Sequence, residues 1–167
     1  MLEPHSQSNE EHLGVKAISV NFQDIPVELI DEEKFRNFTE DDFYWVLVAE
    51  IKFETNESRL CIEAPVFYFT DRLIQILKMK EPAVVSIKDT YDSYKLLVKF
   101  DGDILDIVDE YGNGRILTTM QSMQTKYFEA LLSGLSILVD KYPELSTSEL
   151  YNSITTRILT KLRKVIR

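Results

Sequence analysis

The sequence predicts an α+β fold, an antiparallel β-sheet meander with helices packed on one face and two helices at the C-terminus. Three observations carry this. Several segments alternate apolar and polar residues with period two, short turn signals separate them, and two long segments with helical apolar stripes follow. With 167 residues, 44% apolar and 28% charged, the chain suffices for one cored domain, and it reads as a polar tail over 1–13 followed by a single α+β domain over 14–167.

The elements follow in order. Ile18, Val20 and Phe22 share one side of a first strand, which Pro26 ends. The acidic stretch 27–42 fits either a short helix around Leu29, Ile30 and Phe35 or a long loop. Residues 43–54 read as one strand with Phe43, Trp45, Leu47, Ala49, Ile51 and Phe53 on the core side and Glu50, Lys52 and Glu54 opposite. Residues 55–58 form a hairpin turn, and Leu60, Ile62 and Ala64 alternate on the returning strand. Pro65 breaks the ladder, and Thr70 and Asp71 cap a helix whose Leu73, Ile74, Ile76 and Leu77 point to the sheet.

Strands over 83–88, 94–100, 104–111 and 115–120 then make a meander, with turns at 101–103 and 112–114. A helix over 124–142 carries two apolar stripes, Tyr127, Leu131, Leu138 and Phe128, Leu132, Leu135, Val139. After Pro143, the capping pattern at 146–149 starts a last helix lined by Tyr151, Ile154, Ile158, Leu162 and Val165. The expected core includes Trp45, Leu47, Ile51, Leu60, Ile62, Leu73, Leu77, Val98, Leu131 and Leu138.

Composition removes several chemistries. Twenty-eight Asp and Glu against nineteen Lys and Arg leave a net charge of −9, which repels nucleic-acid backbones and attracts cationic partners. The two histidines, His5 and His12, lie in the polar opening stretch, so no imidazole is available to the body for nucleophile activation. Cys61 is the only cysteine, which excludes an internal disulfide and a cysteine-rich zinc site. The acids at 101–106 miss the calcium-loop spacing, and 112–114 is too short for a phosphate cradle. No metal and no cofactor are therefore predicted, and no catalytic residue. No apolar run is long enough to span a membrane and no secretory signal opens the chain, so the expected location is the cytoplasm.

The candidate partner-binding residues are Asp89, Tyr91, Asp92, Asp101, Asp103, Asp106, Asp109 and Glu110, an acidic segment with Tyr94 and Tyr111 interleaved. Carboxylates steer a basic partner and tyrosines add contact area with a polar tip. The competing reading is a sheet edge kept soluble by charge. Five cations, Arg157, Lys161, Arg163, Lys164 and Arg167, follow Glu149 with no acid among them. They complement a helix C-terminus and an acidic body, so that helix is expected to dock on the body and to bind neither membrane nor nucleic acid.

The succession of strand 44–53, turn and strand 56–62, helix 73–80 and hairpin segment 95–108 resembles small acidic bacterial immunity proteins, which neutralise polymorphic toxins. The resemblance is one of element order and carries over no functional residue. It implies a cytoplasmic, non-catalytic inhibitor that binds a basic toxin domain, often a nuclease, through acidic and aromatic surface. The N-terminal stretch and the basic helix over 146–167 lie outside that pattern. The alternatives are a small enzyme using surface carboxylates, and a regulatory or scaffold subunit.

Overall fold

A computed structural model describes residues 14–25, 39–88, 95–112 and 114–166. The class is the α+β one expected, with antiparallel strands and two helices at the C-terminal end, and the strands divide between a sheet of three and a sheet of four. In the first sheet, β1 (Ala17–Phe22) pairs with β2 (Val48–Glu54), which pairs with β3 (Arg59–Pro65). The register sets Val20, Ile51 and Ile62 in one row, and Phe53 between Ile18 and Leu60 in the next. This face is apolar, while Glu50, Lys52, Glu54, Arg59, Cys61 and Glu63 occupy the other. The sheet is thus covered on one side, as the alternation requires.

The run expected as one strand from residue 43 is divided. Glu40–Val46 is a helix, α1, because Thr39 and Asp42 close a capping box: Asp42 N–H donates to Thr39 Oγ1 at 3.3 Å and Thr39 N–H to Asp42 Oδ2 at 2.7 Å. Helical geometry puts Phe43 and Leu47 on the buried side and turns Trp45 outward, where it is 43% exposed. Trp45 is therefore not core; the other expected core residues are all buried.

The next helix, α2 (Val66–Leu77), starts directly after Pro65, earlier than the expected cap at Thr70. Val66 N–H donates to Leu47 O at 2.9 Å, which anchors the first turn beneath α1. Thr70 lies inside the helix and is fully buried, its hydroxyl donating to Val66 O at 2.7 Å and sharing a 2.6 Å bond with the Tyr127 hydroxyl.

The second sheet is the expected meander: β4 (Ala83–Lys88), β5 (Lys95–Asp101), β6 (Ile104–Asp109) and β7 (Arg115–Thr119) pair in sequence order. The long helix α3 (Met120–Lys141) begins where β7 ends, capped by the Thr119 hydroxyl. Its Tyr127, Leu131, Leu135 and Leu138 are buried, but Leu132, on the second of the two expected apolar stripes, is 39% exposed. One residue beyond Leu131, it lies about 100° around the helix, past the edge of the covered face. A 3₁₀ turn (Pro143–Thr147) leads to α4 (Glu149–Val165), whose five expected apolar residues are all buried. This helix docks on the body.

Two close approaches hold the layers together. An isolated antiparallel bridge joins Leu60 of β3 to Gly114, so β7 lies against the free edge of β3 and both sheets contribute to one hydrophobic cluster. Gly114 has φ +127°, and a Cβ there would lie 2.1 Å from Arg59 O. Gly134 of α3 rests on β1, where a Cβ would lie 2.6 Å from Val20 O. Around it, Val15 N–H donates to Ser122 Oγ at 2.8 Å and Ile25 N–H to the Tyr142 hydroxyl at 3.1 Å. Lys141 pairs with Asp24 and holds that carboxyl below its usual range.

Replacing Gly134 by Ala is expected to cost about 1–3 kcal/mol through overpacking at the helix–strand contact. Urea unfolding should show a lower midpoint at unchanged slope. An unchanged midpoint would mean that α3 does not need this approach to β1.

Candidate functional site

The acidic segment falls on the second sheet, so the register of β4–β7 decides which of its carboxylates reach solvent. Alternation sends Ile87, Leu96, Val98, Leu105, Ile107 and Ile116 inward. The outer face carries the row Val84, Lys99, Asp106, Leu117 and, beside it, the row Ser86, Leu97, Val108, Arg115. Val84 is 63% exposed and Ile104 40%, while Leu97, Val108 and Leu117 are half-buried. On this open sheet surface Leu97 and Val108 stand beside Lys99 and Asp106 on the two central strands, with Val84 on the edge strand and Ile104 at the β5–β6 turn.

The expected site residues have different fates. Asp101 and Asp103 flank the tight β5–β6 turn, where Gly102 takes φ +61°. Both are exposed, and neither carboxylate has an ion-pair partner among the described residues. The turn is fixed by its backbone, since Asp103 O accepts from Met120 N–H at 2.7 Å. Asp106 is occupied by a bidentate contact with Arg115, at 2.9 Å and 3.0 Å. Glu110 pairs with Lys95 at 3.1 Å.

Asp109 corrects the expectation that these carboxylates lie on the surface. It is 4% exposed, on the same strand face as Leu105 and Ile107. Its Oδ1 accepts the N–H of Lys95 at 3.2 Å and of Tyr111 at 3.0 Å. It organises the end of the β6–β7 hairpin. Tyr111 is 51% exposed beside it. Asp89, Tyr91, Asp92 and Tyr94 lie outside the described residues.

At the β4 side of the sheet, Arg72 Nη2 donates to Ser86 O at 3.1 Å. That contact occupies one acceptor of the strand and protects the edge from casual pairing. On the first sheet, burial and then the Glu50 carboxylate push the Cys61 thiol up, which disfavours the reactive thiolate. Among the described residues no group of His, Cys, Asp and Glu could hold a metal ion, and no helix is long and apolar enough to cross a membrane.

The sequence reading missed a second surface feature. Trp45 stacks on Tyr68 with ring centroids 4.9 Å apart, and Tyr44 meets Trp45 edge-on at 5.2 Å. Tyr44 donates to Asp71 Oδ2 at 2.9 Å, and Lys161 approaches the other oxygen of Asp71 at 3.8 Å. Once 43–54 is read as one strand, the pattern assigns Trp45 to the core; only the capping box at Thr39 signals otherwise.

No family model matches the chain, and no curated protein and no solved structure is similar to it.

Two outcomes follow from these contacts. Asp109→Ala strands two N–H donors beside the core and should cost about 1–3 kcal/mol, whereas Asp106→Asn, at an exposed pair, should cost less than about 1 kcal/mol. Equal urea midpoints for the two variants would refute the structural role of Asp109. The second outcome concerns alkaline pH. Burial, reinforced by Asp71, raises Tyr44, and burial raises Tyr127 and Tyr151. These phenols hold their protons more tightly folded than unfolded, so their contribution to stability is intact below about pH 10 and is lost as pH rises further. Phenolate absorbance should report the three ionising only as the protein unfolds; full tyrosine ionisation with a native circular dichroism spectrum would contradict this.

Proposed function

We propose that the protein is a non-catalytic, stoichiometric binder of a basic protein domain, docked on the outer face of β4–β7. The observation that carries this reading is the apolar surface of that face, Leu97, Val108 and Leu117 with Val84 on the edge strand and Ile104 at the β5–β6 turn, beside the carboxylates of Asp101 and Asp103, which have no ion-pair partner among the described residues. Apolar surface supplies affinity once desolvated, and carboxylates at its rim set partner charge and encounter rate. The −9 net charge extends the same preference to long range. Tyr111 adds an amphipathic contact at the opposite end of β6, a residue type common at the centre of interfaces.

The resemblance to small acidic immunity proteins takes the reading one step finer: the partner is a toxin, and occupying its basic surface is how the protein neutralises it. A basic nuclease domain fits an acidic inhibitor because the inhibitor's carboxylates compete for the side chains that would hold phosphate.

The test begins with identification of the partner that co-purifies with the tagged protein from its source, followed by kinetics with both purified components. Asp101→Asn with Asp103→Asn should slow association several-fold and flatten its salt dependence, with little change in dissociation. Val84→Lys should chiefly accelerate dissociation. Unchanged kinetics in both variants would place the interface elsewhere. The toxin reading has its own readout: the partner expressed alone should arrest growth and coexpression should relieve the arrest, and a harmless partner would remove that reading while leaving the docking face intact.

A further inference from the structure

With β7 set beside β3, the strands run in one order whose end members are β1 and β4. The first end is covered, because α3 lies on β1 with Gly134 against the Val20 carbonyl. The outer side of β4 makes no backbone bond among the described residues, and Val84 on it is 63% exposed. An uncovered edge of this kind is a template for another strand.

The bonds of the next hairpin decide which groups of β4 point outward. Glu110 N–H donates to Lys95 O at 2.9 Å, so the backbone of Lys95 turns toward β6 and away from β4. Lys95 stands opposite Lys88, and alternation then aims the N–H and C=O of Val84, Ser86 and Lys88 at the free side. The bond from Arg72 Nη2 to Ser86 O, at 3.1 Å, agrees with that phase. Pro82, directly before the strand, falls in the same phase and has a carbonyl but no N–H. From 82 to 86 the edge therefore offers the N–H groups of Val84 and Ser86 and the carbonyls of Pro82 and Val84, while the Ser86 carbonyl is occupied by Arg72.

We infer that β4 pairs with β4 of a second copy of this chain, antiparallel about a two-fold axis at Val84. In that register the two Val84 backbones exchange both bonds, and each Ser86 N–H donates to the Pro82 carbonyl of the other copy. The two defects of the edge then face each other: Pro82, with no N–H to give, stands opposite the carbonyl that Arg72 occupies. An axis at Ser86 would instead aim each Ser86 N–H at an occupied carbonyl, and an axis at Val85 would do so for each Val84 N–H. Side chains match in the same register. Val84 meets Val84 of the second copy on the outer face, and Ala83, half-buried like Val85, meets Val85 of the second copy on the inner one. The axis is normal to the sheet, so both outer faces stay on one side, and the inference stands without the docking reading.

Such a junction is smaller than the roughly 1,200 Å2 at which standard interfaces begin, so the dimer is weak and sedimentation equilibrium of the full chain is read up to about 1 mM. A monomer–dimer equilibrium is expected. Added salt should tighten it, because each copy carries −9, whereas docking of a basic partner would weaken with salt. Ser86→Pro removes a donor that points away from β5, leaves the ladder within the chain whole, and should weaken the dimer about tenfold or more. Val84→Glu and Val84→Lys should each weaken it as far, and their mixture should restore a heterodimer, because position 84 faces itself. If Ser86→Pro does not fold, the two Val84 variants still decide. The inference is overturned by a monomer at every concentration, which would leave the edge to a strand of another protein, by a dimer indifferent to these variants, or by a mixture that associates no more tightly than its components.

Discussion

The architecture depends on one backbone contact, the approach of residue 114 to Leu60. It places β7 beside β3, so that the strand order runs β1, β2, β3, then β7, β6, β5, β4. Only a residue without a side chain fits there, because the Arg59 carbonyl occupies the space a Cβ would need. With the sheets joined, their apolar faces pool into one core that α2 and α3 cover from the same side. The bond between Thr70 and Tyr127, 57 residues apart and fully buried, then fixes the two helices against each other at a single polar point. Both outer faces remain turned to solvent.

Much of this was legible in the sequence where one local rule acted alone. The β2–β3 hairpin follows from strict alternation around a short polar turn, and α4 follows from an apolar line at helical spacing behind Ser148. The failures occurred where two rules competed. The segment beginning at Phe43 has strong strand propensity, yet four residues upstream Thr39 opens a reciprocal cap, and a local hydrogen-bonded start overrode an aromatic run. Thr70 looks like a cap by residue type; whether a threonine caps or is buried depends on what stands opposite it, here Tyr127, which no local window contains.

The candidate site shows the same division. That β5–β7 form an acidic meander was readable, but the burial of Asp109 was hidden by its chemistry, although its register with Leu105 and Ile107 was plain from period two. Pairing was harder still, because Asp106 meets Arg115 only through the register of two strands. Counting carboxylates overstated the free charge of the face: of the five described, one is internal, two are matched by cations, and two at one turn remain open. The two most exposed apolar residues of the face, Val84 and Ile104, are ones that a search for charged residues passes over.

The joint between the sheets also orders events in time. The β2–β3 hairpin and the β4–β7 meander pair neighbours across short connections and can zip with little loop-closure cost, whereas β1 must reach β2 across the span from Phe22 to Val48. The single link between them must wait, because β7 is the last strand made and its place is beside the third. The topology therefore predicts a late closure in folding, in which α3 follows β7 into position and brings Tyr127 under α2.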